Sequence, residues 1–141
     1  MLHLEFNSDS ENEGIARIVT AAYIMKFDPD MEEMDDIKTA VSEAVTNCIV
    51  HAYFDENGKI EMDISDKEKI VKIEITDHGI GIPDVKKAME PMYTTKAEEE
   101  RTGMGFSFME AFMDEVHVES TPGHGTTVSM RKEIGWNKPL H

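Results

Sequence analysis

The chain has 141 residues, of which 40% are hydrophobic and 30% charged, a composition typical of a globular protein with a buried core. Its formal net charge is −15, and such a field repels phosphate backbones, which argues against direct nucleic-acid binding. Because no apolar run reaches about 18 residues and no secretory signal pattern is present, we expect a cytoplasmic domain over residues 1–141 without a membrane span.

The first fifty residues predict a strand followed by two helices. Apolar and polar residues alternate from Leu2 to Phe6, which is the period of a half-buried strand. Ser10-Glu11-Asn12-Glu13 reads as a capping box that opens a helix to about Phe27. Its predicted buried stripe consists of Ile15, Ile18, Val19, Ala22 and Met25. A proline-containing turn then leads into a second helix over about Met31–Tyr53.

Three polar residues recur every four positions on the second helix. Glu43, Asn47 and His51 therefore share one face, although their neighbours are mostly apolar. A buried carboxylate, amide and imidazole need partners, and a magnesium-bound nucleotide would supply them. The amide oxygen of Asn47 is a suitable Mg²⁺ ligand, and Glu43 can act as a general base. The alternative is a polar network, including His51, that only holds the helix against its neighbours.

A second polar motif, Asp77-His78-Gly79-Ile80-Gly81, follows a predicted antiparallel hairpin of two apolar strands, about 60–64 and 70–75. The Asp77 carboxylate can accept a hydrogen bond from the exocyclic amine of adenine. Gly79 and Gly81 would let the backbone approach the base closely. The alternative is an ordinary turn rich in aspartate and glycine.

The stretch from Pro83 to Gly105 predicts a short helix over 83–89 and then a long segment without an apolar period. Thr102-Gly103-Met104-Gly105-Phe106 leads directly into a further helix, so its free N–H groups can bind phosphate. Lys96 and Arg101 are the cations nearest to this motif. The alternative is a helix start with hinge glycines, and the Walker A spacing is absent.

The last third predicts a helix from about Phe106 and a closing hairpin of strands 116–121 and 126–130. At the start of the final strand, the hydroxyl of Thr126 can assist Asp77 in binding adenine, or Thr126 is only a hairpin exit. We expect a loose tail over residues 134–141. The element order predicts an α+β fold, a two-layer α/β sandwich with helices on one face of a mixed, mostly antiparallel sheet.

In this order the four motifs resemble the motif set of the GHKL superfamily of ATPases and kinases. Within it, the chain is similar to the small bacterial anti-sigma serine kinases over residues 3–132. The closer similarity is carried by four segments, 4–6, 41–53, 92–96 and 101–106.

The resemblance implies the Bergerat ATP-binding fold, with ATP and Mg²⁺ held under a lid at about residues 82–102. Asn47 would ligate Mg²⁺, Glu43 would be the catalytic base and Arg101 would stabilise the transferred phosphate. The nucleotide-binding residues implied are Asn47, His51, Asp77, Gly79, Gly81, Thr95, Lys96, Gly103, Met104, Gly105, Phe106 and Thr126.

The resemblance also implies protein partners: a homodimer that binds a sigma factor of the sigma F type and phosphorylates a serine of an anti-anti-sigma factor. Arg17, on the first helix, would lie on the sigma-binding surface. Two alternatives stay open, a general-stress type of anti-sigma kinase and a nucleotide-gated binding module without transfer activity. Only 42 residues precede Glu43, so we expect no histidine phosphoacceptor module.

Overall fold

The computed structural model describes residues 1–53, 57–89 and 105–135, which form one five-stranded sheet covered by helices. The strands are β1 (Leu2–Asn7), β2 (Lys59–Lys67), β3 (Ile70–Asp77), β4 (Glu115–Thr121) and β5 (Gly125–Glu133). Their order is β1-β2-β3-β5-β4, and every pairing between described strands is antiparallel. The α+β sandwich is confirmed, but the sheet is not mixed. Two consecutive helices separate β1 from β2, so the chain re-enters the sheet in the opposite direction.

The helices are α1 (Glu11–Ile24), α2 (Met31–Asn47), α3 (Val85–Ala88) and α4 (Phe106–Phe112). A 3₁₀ turn (Met25–Phe27) extends α1, and a π-helical turn (Cys48–Ala52) extends α2. The helix predicted over 31–53 is therefore continuous but changes its winding after Asn47. None of the helices in the described part of the chain combines the length and apolarity needed to cross a membrane.

The capping box predicted at Ser10 is not formed. Ser10 has helical backbone angles and makes no side-chain cap, while the Glu13 carboxylate instead accepts a hydrogen bond from Ser42 on α2 at 2.8 Å. The capping box lies at the start of α2, where Asp30 and Glu33 exchange side-chain-to-backbone hydrogen bonds of 2.7 and 3.0 Å. The side chain of Glu13 thus ties α1 to α2 and does not cap α1.

The buried face of α1 also differs from the predicted stripe. Ala16, Thr20 and Ile24 are buried. The hydroxyl of Thr20 donates to the carbonyl of Ala16 at 2.9 Å and lies 3.6 Å from the sulfur of Met62 on β2, so this face of the helix is turned towards the sheet. Large apolar side chains are left on the outside of this helix. Those of Ile15, Ile18 and Met25 are 53%, 66% and 62% exposed.

The core lies between the inner face of the sheet and the packed helices. Alternate residues of β2 and β3 point inward, as predicted from their apolar period, namely Ile60, Met62, Ile64, Val71, Ile73 and Ile75. Facing them, α2 buries Ile37, Val41, Ala44 and Val45. Each isoleucine or valine among these contributes about 1.5–3 kcal/mol when fully buried, so α2 is held firmly over the centre of the sheet.

Two further contacts fix the ends of α2. The hydroxyl of Tyr53 donates to the carbonyl of Lys59 at 2.5 Å and accepts from the amide of His78 at 2.7 Å. At the other end, the amide of Gly135 donates to the buried carboxylate of Glu33 at 2.6 Å, and Ile134 is buried. The prediction of a loose tail from residue 134 is thus wrong for Ile134 and Gly135. Residues 136–141 lie outside the described part of the chain.

Candidate functional site

A cavity opens where the C-terminal part of α2 passes over the ends of β3 and β5. Six of the residues predicted to bind nucleotide line it: Asn47, His51, Asp77, Gly81, Phe106 and Thr126. Cys48, Ala52 and Ile82 complete an otherwise apolar wall. The site is therefore a largely apolar pocket with a few convergent polar groups, the usual form of a small-molecule site.

Asp77 is the last residue of β3, and its side chain is buried with only 4% exposed. The carboxylate accepts hydrogen bonds from the amide of Gly79 at 3.0 Å, from the backbone amide of Thr126 and from the thiol of Cys48. Burial raises the pKa of Asp77, and these donors counteract part of that rise. A carboxylate has about four acceptor sites, so one remains for a donor in the cavity.

Gly79 lies where the loop after β3 passes against the end of α2. A Cβ added at this position would lie 2.4 Å from the carbonyl oxygen of Ala52. The same loop is held there by a hydrogen bond of 3.2 Å from the amide of Ile80 to that carbonyl. Only glycine permits this contact, which brings the Asp77 loop against the helix that carries Asn47.

Glu43 lies on α2, one turn before Asn47, and is half-buried. Burial raises the pKa of its carboxyl group, and among the described residues no hydrogen-bond or ion-pair partner contacts it. Gly105, in the left-handed region with a φ of 68°, begins α4 beside it: a Cβ there would be 2.4 Å from Glu43 Oε2. A partly desolvated carboxylate with a raised pKa beside a pocket is a candidate general base.

His51 lies in the π-helical turn, in which the amide of Tyr53 bonds to the carbonyl of Cys48 at 3.2 Å. Burial lowers the pKa of His51, so the imidazole is neutral near pH 7. Such turns inside helices are frequent at functional sites. Here the wider turn changes the position of His51 relative to Asn47 while keeping both on the cavity wall.

The remaining predicted site residues are not seen on the cavity wall, most of them because the structure does not describe them. Thr95, Lys96, Arg101, Gly103 and Met104 fall outside the described residues, as does most of the predicted lid. Arg17 lies on α1, half-exposed, 3.5 Å from Glu13 and away from the cavity.

Two residues that support the site, Ser120 and Cys48, are not predicted by any sequence motif. Ser120 on β4 is paired with Thr126 on β5, and the thiol of Cys48 contacts Asp77. The hairpin register, once known, identifies Ser120, because directly paired residues share one face of a sheet. Cys48 gave no signal beyond its place on the apolar face of the second helix.

Three comparisons with known proteins agree with this geometry. The sequence pattern of the histidine kinase-like ATPase domain matches residues 6–132. An anti-sigma F factor of Caldanaerobacter subterraneus subsp. tengcongensis is 55% identical over 98% of this chain and 96% of its own length. That of Bacillus subtilis is 46% identical over 99% and 96%. Among solved structures, the catalytic domain of the histidine kinase ThkA is similar in fold, with a TM-score of 0.58 at 21% identity, covering 95% of this chain and 97% of that domain.

Proposed function

The chain belongs to the histidine kinase-like ATPase family and, within it, to the anti-sigma F factors, and from that premise we propose that it is both an anti-sigma factor and a protein serine kinase. It holds a sporulation sigma factor of the sigma F type away from RNA polymerase, and it transfers the γ-phosphate of ATP to a serine of an anti-anti-sigma factor. The observation that supports this most directly is the convergence of Asn47, Asp77 and Thr126 on one cavity, with Glu43 beside it.

The nucleotide-binding part of the proposal depends on which polar atoms face the cavity. Asp77 and Thr126 lie together at one end and offer acceptors to the amine of adenine. Asn47 lies on the helix above them, and its amide fits the oxygen chemistry that Mg²⁺ prefers. When bound, Mg²⁺ neutralises phosphate charge, which matters in a chain with a net charge of −15.

The transfer part of the proposal depends on Glu43. Phosphoryl transfer needs a residue that orients the attacking hydroxyl and accepts its proton. Glu43 lies within one helical turn of Asn47, and its raised pKa brings its proton affinity closer to that of a useful base at neutral pH. A module that only binds nucleotide needs no such carboxylate beside the metal ligand, so we favour the kinase over the nucleotide-gated binding module.

The test of this function is the transfer of labelled γ-phosphate from Mg-ATP to a purified anti-anti-sigma protein of the sporulation type. We expect labelling on serine, together with binding of sigma F by the same protein preparation. Binding of sigma F without labelling would support the module without transfer activity, and labelling of a general-stress partner alone would favour the general-stress alternative.

A surface on α1 supports the proposed sigma factor contact and homodimer. The side chains of Ile15 and Ile18 are neighbours on the exposed face of α1, and Arg17 is half-exposed about 100° around the helix axis from Ile18. Exposed apolar side chains and arginine are both common in protein interfaces. We expect Arg17→Glu to weaken sigma factor binding by at least about tenfold, measured by calorimetry, because an interfacial charge is reversed.

The same variant should bind ATP like the wild type, since Arg17 is remote from the cavity and its pair with Glu13 is exposed. Lys67→Glu, at the exposed end of β2, is the matched charge-reversal control and should retain sigma factor affinity. Equal loss in both variants would attribute the effect to net charge and reject the assignment of Arg17.

A further inference from the structure

We propose that Ser120 is a positioning residue that fixes Thr126 as a hydrogen-bond acceptor and thereby sharpens the selectivity of the cavity for a purine with a 6-amino group. The inference rests on the proposed function, because it requires a nucleotide bound in this cavity. It concerns a residue that lies behind the cavity wall and acts only through Thr126.

The sheet register places the three residues in one row. Asp77 on β3 is paired with Thr126 on β5, and Thr126 is paired with Ser120 on β4. Their side chains lie on the inner face, where the hydroxyl oxygens of Ser120 and Thr126 are 2.8 Å apart. The row therefore runs from a carboxylate, through a hydroxyl on the cavity wall, to a second hydroxyl behind it.

The remaining contacts of Ser120 decide which hydroxyl donates. The amide of Ile82 can only donate, and it lies 2.7 Å from Ser120 Oγ. The carbonyl of Gly125 can only accept, and it lies 3.0 Å away, so we assign the single hydroxyl hydrogen of Ser120 to it. In the 2.8 Å contact Thr126 must then be the donor.

This assignment uses all of the hydrogen-bonding capacity of Ser120, which has one hydrogen and two lone pairs. The hydrogen of Thr126 points at Ser120, so Thr126 turns only lone pairs towards the cavity. Asp77, its neighbour in the row, also presents an acceptor. Two adjacent acceptors favour a ligand with an amino group, because that group can donate a hydrogen to each of them. A purine without an amino group would leave the two acceptors without a donor.

Replacing Ser120 with alanine removes the acceptor for the Thr126 hydrogen. The Thr126 hydroxyl is then able to rotate, and it is no longer confined to accepting. The amide of Ile82, on the cavity wall, loses its partner as well. Both changes follow from one oxygen atom, and both are measurable.

The experiment compares the affinities of ATP and of purine riboside 5′-triphosphate, which carries hydrogen in place of the 6-amino group. We expect wild-type protein to bind ATP more tightly than the analogue. In Ser120→Ala the ratio of the two affinities should fall about three- to fivefold, which corresponds to one neutral hydrogen bond. Ser120→Thr restores the hydroxyl and should restore the ratio. The amide of Ile82 should exchange with solvent faster in Ser120→Ala than in wild type.

The matched control is Ser129→Ala, because Ser129 is a half-buried serine on β5 whose hydroxyl donates to Glu74 at 3.0 Å, outside the cavity. Its nucleotide ratio and Ile82 exchange should equal those of wild type. An unchanged ratio in Ser120→Ala, an equal loss in Ser129→Ala, or no recovery in Ser120→Thr would overturn the assignment. Failure of wild-type protein to bind ATP would instead reject the proposed function.

Discussion

Replacing Glu43 with glutamine is expected to slow phosphoryl transfer by at least about 100-fold and to leave ATP affinity within about twofold of wild type. Glutamine has the same shape as glutamate but cannot accept a proton. The fold should tolerate it, because among the described residues the carboxylate makes no hydrogen bond or ion pair that the amide would break. Transfer is measured as labelled phosphate on the anti-anti-sigma protein, and affinity by calorimetry.

Glu74→Gln is the matched control for this experiment. Glu74 is half-buried on β3 and accepts a hydrogen bond from Ser129, on the other face of the sheet from Asp77 and the core. We expect this variant to transfer phosphate at the wild-type rate. Transfer at the wild-type rate by Glu43→Gln as well would show that Glu43 is not the base.

Loss of ATP binding in Glu43→Gln would give Glu43 a different role. Its carboxylate lies against Gly105, the residue that begins α4, and a negative charge at a helix N-terminus stabilises that helix. A purely structural Glu43 would therefore lower nucleotide affinity and stability together when its charge is removed. Measuring both quantities in the same variant separates the two roles.

The sheet and its hairpins were predictable because their signals are local. In β2 and β3 every second residue is apolar, and one face of these strands is buried, so period and fold agree. The residues that line the cavity were predictable from local patterns too. The four-residue spacing of Asn47 and His51 places both on one helix face, and Asp77 ends a strand. Their roles in binding and catalysis stay predictions.

The errors share a different physical cause. On α1, hydrophobicity predicts a stripe that includes Ile15 and Ile18, whereas the helix buries Ala16 and Thr20, and Thr20 contacts Met62 on β2. Likewise the capping box at Ser10 was lost because Glu13 bonds to Ser42, which is 29 positions away. Contacts between distant segments decide such positions, and no local pattern contains them. The π-helical turn after Asn47 has no local sequence pattern either, and its Ala52 carbonyl accepts a hydrogen bond from Ile80, 28 positions away.

Asp77→Asn is expected to weaken ATP binding by about 10- to 100-fold, the value of one hydrogen bond to a charged acceptor. An asparagine has one oxygen, and its NH₂ group cannot accept the hydrogen bonds that Gly79 and Thr126 donate. The variant must either abandon those amides or turn its NH₂ group towards the amine of adenine. The first choice leaves buried backbone amides without their acceptor, and the second removes the acceptor on which the proposed adenine contact depends.

Asp63→Asn provides the matched control, because Asp63 is a half-exposed aspartate on β2 that pairs with His3 at 2.5 Å. Its ATP affinity should equal that of wild type. An unchanged affinity in Asp77→Asn, measured by calorimetry at pH 7.5, would reject the adenine contact.

The pH dependence of binding gives a second, independent test of Asp77. Burial raises the pKa of this carboxyl group, so on acidification it takes up a proton at a higher pH than an exposed aspartate would. Protonation uses one acceptor site, and wild-type affinity should therefore fall as the pH is lowered towards that raised pKa. Asp77→Asn has no carboxyl group to protonate at this position. Protonation of ATP itself also changes the affinity with pH, but this contribution should be the same for both proteins. If the two affinity curves run parallel over the whole acidic range in which both proteins stay folded, Asp77 does not contact the nucleotide.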